Sequence, residues 1–301
     1  MYAFIGPVFI IVAAFLWALD GIVLRPSLYS LPVPIVVFTE HALAFALMLP
    51  FFLYERHELK KIGRAAWGSF FWVALFGGVL GTMFITKALF HVNFVNLSIV
   101  VLIQKLQPVF ALILAWVVLK EKLPKRFWRW AILAIVATYV VTFDGLLPNL
   151  NTGEKTTAAA LYALGAAFAW GSSTVFGKKA LQQVSFRMGT YIRFGLTTAI
   201  MAVIVASSTG FGALSMITPS QLTTFGVIVF TSGGVAMFLY YYGLKRVTAS
   251  VSTICELMFP LSAIMLEFLI HGKVLSVTQW VATAVLLVAV YRVSLLQRTN
   301  A

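Results

Sequence analysis

Charge is what this sequence has least of. Only 10% of its 301 residues are Asp, Glu, Lys or Arg, against about 25% in a soluble domain. An ordinary water-soluble fold is excluded on that ground. Acidic residues are the scarcer sign, 9 against 22 Lys and Arg. Cysteine occurs once, as Cys255, so no internal disulfide can form. His41 and His91 stand singly, without the spacing of metal ligands. There is no Gly-rich phosphate loop closed by Lys and Ser/Thr, no nucleophile elbow and no His/Cys/carboxylate cluster. An enzyme, a metal site, a cofactor and ATP-driven transport by this chain alone are set aside. No signal peptide is expected either, since Met1–Phe4 has no basic residue and the first apolar run lacks a cleavage site.

What the chain does have is apolar length. Hydrophobic residues make up 61%. They fall into ten runs: Phe4–Leu24, Pro32–Leu53, Ala66–Leu89, Val95–Leu119, Phe127–Thr142, Thr157–Phe176, Met188–Ser207, Leu222–Gly243, Thr248–Ile270 and Val277–Leu295. Most are long enough to cross a bilayer at about 1.5 Å per residue. The fifth is short, but its Trp128 and Trp130 suit an interface. Short connections leave no room for a separate soluble domain. The expected fold is therefore an all-α membrane protein of ten transmembrane helices in the cell (inner) membrane.

The net charge of +13 follows from loops on one membrane face, not from nucleic-acid binding. One set of alternate loops carries 16 Lys and Arg, while the other carries only Arg25, Lys87, Lys155 and Lys273. The positive-inside rule places both termini in the cytoplasm.

The chain also repeats itself. Ala13-Ala14-Phe15-Leu16-Trp17 resembles Ala166-Ala167-Phe168-Ala169-Trp170, and Pro108 aligns with Pro260. Residues 1–150 and 151–301 then form two five-helix units within one integral membrane domain. An odd number of spans per unit makes the second enter from the opposite side. The charges agree: the loop at Arg56–Arg64 is basic, and its counterpart at Ser208–Gln221 carries no charge.

Ionisable groups inside spans are costly and mark pathways. At helical rise, Glu40 lies about 10 Å and Lys105 about 15 Å below the outer surface, and Arg193 about 8 Å and Glu256 about 12 Å above the inner one. Depth suggests two ion pairs, Glu40 with Lys105 and Arg193 with Glu256, lining the pathway or locking the bundle. Gln104 shares the centre of its span with Lys105. Trp17 and Trp170 occupy matching places and offer an aromatic wall or a packing face. Of Tyr240, Tyr241 and Tyr242, at most two can face one cavity, and Tyr241 is taken as the lining residue. Asp20 reads as a pathway carboxylate or a cap near the outer surface. Gly77-x-x-x-Gly81 reads as a packing face. Pro108 and Pro260 each remove a helix hydrogen bond and allow a hinge.

These features resemble the drug/metabolite transporter superfamily, in particular its EamA branch. The residues that carry the resemblance are Ala-Ala-Phe-x-Trp at both unit starts, Arg193, Pro108, Pro260 and Lys120-Glu121-Lys122. Glu40, where such units often have Arg, and Lys273, where the second often has Glu, depart from the pattern. The resemblance implies alternating access around a cavity lined by helices 1–4 and 6–9, with helices 5 and 10 peripheral. It also points to export of amino acids and related metabolites.

The expected function is thus secondary transport of a small organic solute, with an amino acid favoured because cations and carboxylates can hold both ends of a zwitterion. A phosphate- or nucleotide-bearing metabolite is the alternative, favoured if Lys105 and Arg193 are unpaired. A non-transporting scaffold is the third reading. Expected partners are the solute and membrane lipid, with monomer and homodimer both open.

Overall fold

The computed structural model describes residues 4–91, 98–143, 155–272 and 274–296. Lys273, Arg298, residues 95–97 of the fourth apolar run and most of the 144–156 connection lie outside the described residues. Among the described residues ten helical rods follow one another: α1 (Ile5–Leu28), α2 (Val33–Lys61), α3 (Arg64–Ala88), α4 (Val100–Val118), α5 (Lys125–Thr142), α6 (Thr157–Ala180), α7 (Phe186–Ser207), α8 (Pro219–Arg246), α9 (Ala249–Ile270) and α10 (Val277–Leu296). Among the described residues there is no strand.

Nine of these rods are long and apolar enough to span a membrane. The tenth, α5, opens on Lys125, Arg126 and Arg129, which suit a headgroup layer. Its 18 residues reach about 27 Å. It pairs along its length with α10, through buried Ala131, Ala134 and Ala137 on one side and Ala282 and Ala289 on the other. Small residues let the backbones approach where lipid supplies no hydrophobic drive. Gln279 Nε2 then donates to the Val141 carbonyl at 2.9 Å.

Helix ends are set by local chemistry. Pro32 and Pro124 stand just before α2 and α5. Ser185 caps α7 by accepting from Met188 N at 3.1 Å. Thr218 and Gln221 form a capping box at the start of α8. Gly272, at φ +66, closes α9 in the left-handed conformation that glycine adopts without penalty.

The packing carries the pseudo-two-fold symmetry. α2 lies on α7, and α5 on α10, like on like. α1 lies against α8 and α9, while α6 lies against α3 and α4. Each unit's first helix is thus seated in the other unit's third and fourth. Trp17 and Trp170, at matching places in α1 and α6, each reach into the opposite unit for this reason.

Four rods are irregular at related positions. α3 is π-helical over Val73–Leu80, and α8 over Val229–Gly233. α4 breaks at Lys105–Leu106 and α9 at Glu256–Leu257. Both breaks lie just before a proline, Pro108 or Pro260, whose missing N–H releases a carbonyl one turn back. α1 has a further π turn at Asp20–Leu24. Such turns gather at functional sites.

Candidate functional site

The broken helices bring the chemistry together. The break in α9 puts Glu256 at the end of the Ala249–Cys255 stretch. Its Oε1 accepts from Tyr240 Oη at 2.8 Å, Ser252 Oγ at 3.0 Å and Thr174 Oγ1 at 3.3 Å. Its Oε2 accepts from Gln107 Nε2 at 3.2 Å. Three of these donors come from the second unit, and Gln107 comes from the first. Thr174 Oγ1 and Tyr240 Oη lie 2.9 Å apart, so either hydroxyl can turn its single hydrogen to the other in place of the carboxylate. A carboxylate in low dielectric needs such donors when no cation faces it.

Aromatic side chains stand around this nest. The Trp17 ring lies 5.2 Å from Tyr240. Arg193 sits beside Tyr241, with Nη1 3.5 Å from the hydroxyl and the guanidinium 5.8 Å from the ring centroid. Arg193 Nε is buried without a hydrogen-bond partner among the described residues. Lys105, in the break of α4, is half-buried, and its ammonium makes no hydrogen bond or ion pair to a described residue. The glycines of α3 admit this arrangement. A Cβ at Gly77 would fall 2.5 Å from Ser173 Oγ and 3.5 Å from Arg193 Nη2. A Cβ at Gly81 would meet Trp170 Nε1 at 2.5 Å. Gly77 and Gly81 are thus the packing face that their spacing suggests. Trp72, Phe76, Phe168 and Phe176 form an aromatic cluster between α3 and α6, with Trp72 Nε1 donating to Ser172 Oγ at 2.9 Å.

Both ion pairs expected from depth are corrected. Glu40 bonds Arg25, at 3.2 Å, and not Lys105. Glu256 is held by hydroxyls and an amide, and not by Arg193. Depth fixes one coordinate of a side chain in a bundle; its direction around the helix fixes the partner. Asp20 is a buried ion-pair partner of Arg25 rather than a surface cap. Residues five apart on an α-helix point about 140° away from each other at 3.6 residues per turn. The π turn of α1 brings them to one face, and Arg25 N bonds the Asp20 carbonyl accordingly.

Of the other expected residues, Gln104 ends the first half of α4, and Gln107, across the break, is the one that reaches Glu256. Tyr241 is fully buried behind Arg193, and Tyr240 carries the hydrogen bond to the carboxylate. Tyr242 turns away and takes Arg246 on its ring at 3.4 Å. Thr174 and Ser252 carry no charge, and their sequence positions alone gave no signal, while Gln107 stands out as a polar residue near the middle of its apolar run. His41 bonds the Val37 carbonyl at 2.9 Å, and His91 stacks on Tyr162 at 5.5 Å. No metal-binding cluster occurs among the described residues.

Residues 4–143 and 157–295 each match the model of the EamA-like transporter family. The chain belongs to that family. It is a multi-pass membrane transporter of small metabolites and not an enzyme. The EamA-like relatives include the riboflavin transporter ImpX of Fusobacterium nucleatum subsp. nucleatum, 44% identical over 96% of this chain and 97% of that protein. The uncharacterized transporter YwfM of Bacillus subtilis is 23% identical over 95% of this chain and 92% of its own length. A solved crystal structure covers 97% of this chain and 98% of its own with a TM-score of 0.72 and 16% identity, which shows a shared fold.

Proposed function

We propose that this protein carries riboflavin, or a close flavin, across the membrane. The observation that carries the reading is the near full-length 44% identity to a protein named a riboflavin transporter. The site is chemically suited to such a solute. A flat tricyclic ring stacks on an indole or phenol ring, and Trp17 and Tyr240 supply both. The ring's carbonyl and nitrogen acceptors match the guanidinium of Arg193, which meets no described carboxylate, and the ammonium of Lys105. The hydroxylated side chain of riboflavin matches the hydroxyls and amide around Glu256.

Transport would follow from rocking of the two units, with α4 and α9 bending at their breaks. The test is counterflow in proteoliposomes loaded with riboflavin, FMN, tryptophan or a sugar phosphate. Riboflavin is expected to exchange fastest. An amino acid is the second reading, because Arg193 and Glu256 are unpaired with each other and suit a zwitterion. Tryptophan exchange without riboflavin exchange establishes that reading in its place. Exchange of FMN or the sugar phosphate alone points instead to recognition of phosphate by Arg193 and Lys105.

A further inference from the structure

A second charged cluster lies away from Glu256, toward the outer ends of α1 and α2. Arg25 Nε donates to Asp20 Oδ2 at 2.8 Å, its Nη2 also contacts that oxygen, and Nη2 reaches Glu40 Oε2 at 3.2 Å. Two carboxylates therefore share one guanidinium, and the fully ionised cluster is one negative charge in excess. Asp20 keeps 6% of its surface exposed, and its Oδ1 is buried with no partner among the described residues. An uncompensated negative charge in the apolar layer is costly.

We propose that this cluster is the site of a coupling proton, which adds at Asp20 Oδ1. One O–H bond forms as the proton arrives from water on one side, and the same bond breaks as it leaves on the other. The cluster is neutral with the proton on and negative with it off. A metal cation suits the site poorly, because Arg25 already stands between the two carboxylates, whereas a proton needs only one free oxygen.

The surroundings suit a switch. Asp20 opens the π turn of α1. Glu40 faces the π turn of α8, in the other unit, where a Cβ on Gly233 would lie 3.5 Å from Oε1. Protonation of Asp20 loosens its hold on Arg25 within α1 and leaves Arg25 to Glu40, the tie between α1 and α2, at a point where both units meet. The Pro219–Ile228 stretch of α8, packed on the π turn, brings no ionisable group, and the Met258–His271 stretch of α9 carries Glu267 and His271. On α2 the neighbouring group is His41, whose ring rests 5.2 Å from Phe194, next to Arg193 on α7.

Two measurements test the proposal. The first needs no solute: infrared difference spectra of the reconstituted protein between acidic and alkaline buffer. Wild type is expected to show a carboxylic-acid C=O band that is lost in Asp20→Asn and in Glu40→Gln. Glu40→Gln leaves Asp20 and Arg25 a neutral pair, so it serves as the second variant should Asp20→Asn not fold. A band of wild-type intensity in either folded variant overturns the site. The second rests on the riboflavin reading: accumulation of riboflavin driven by a pH gradient. With one proton per solute, wild type is expected to accumulate about ten-fold per pH unit, since a unit is about 1.4 kcal/mol. Asp20→Asn is expected to keep counterflow at equal pH and lose that drive. Riboflavin flux in wild type that ignores the gradient overturns the coupling. No riboflavin flux, with the band still lost in the variants, overturns the solute and leaves the site standing.

Discussion

The hydroxyl of Tyr240 donates to Glu256 at 2.8 Å while the ring of the same residue lies 5.2 Å from Trp17. One side chain therefore holds the carboxylate and forms part of the aromatic wall. Tyr240→Phe keeps the ring and removes the donor. A hydrogen bond to a charged group contributes about 1.5–3 kcal/mol, so solute exchange is expected to fall at least about ten-fold. Counterflow in proteoliposomes measures it, with Tyr242→Phe, which lies outside the nest, expected to match wild type. Equal rates in Tyr240→Phe and wild type count against a pathway role for the nest.

Arg193 and Lys105 supply the positive charge that no described carboxylate neutralises. Arg193→Met and Lys105→Met are each expected to weaken riboflavin binding, read by quenching of flavin fluorescence on purified protein. Arg193→Lys is not expected to restore full affinity, because an ammonium lacks the planar fork of donors. If both Met variants are folded and bind as wild type does, neither cation faces the solute.

Glu121 lies in the Lys120-Glu121-Lys122 motif, and the fold gives it a specific task. It accepts from Ala249 N at 2.7 Å, from Ser250 N at 3.1 Å and from Ser250 Oγ. Thr248 Oγ1 takes Val251 N at 3.2 Å. Between them they satisfy the first three amides of α9, where a negative charge also favours the helix dipole. Glu121→Ala is expected to cost about 1–2 kcal/mol. Hydrogen exchange should rise at residues 249–251 and remain at wild-type levels in α5. Unaltered protection at α9 argues against the cap.

Gly77→Ala forces a methyl group to within 2.5 Å of Ser173 Oγ and separates α3 from α6. Overpacking of this kind costs about 1–3 kcal/mol. Gly226 has nothing within 4 Å of its would-be Cβ, and Gly226→Ala serves as the control. Thermal unfolding in detergent is expected to fall for the first and hold for the second. A wild-type melting point for Gly77→Ala means that the helices part without cost.

Glu256 and the two prolines stand out in the chain because each breaks a strong rule of its surroundings, and Trp17 because the repeat matches it with Trp170. A carboxylate within an apolar run, or a proline within a helix, needs a reason that composition alone exposes. Thr174 and Ser252 break no rule, since hydroxyls are common in such helices, and only their convergence with Gln107 on one carboxylate marks them. The pairing of Arg25 with Asp20 was hidden for another cause. It depends on a π turn, and helical spacing places those two residues on different faces.

The number of spans, their alternating direction and the repeat were settled by the chain itself. They follow from the cost of leaving apolar length in water or bare charge in lipid, and that cost accrues along one dimension. Which charges meet was decided only in three dimensions. Rotation about each helix axis, the π turns and the seating of each unit's first helix in its partner set those contacts. Differences of a few kcal/mol among packed alternatives choose between them, and no linear pattern of residues encodes that choice.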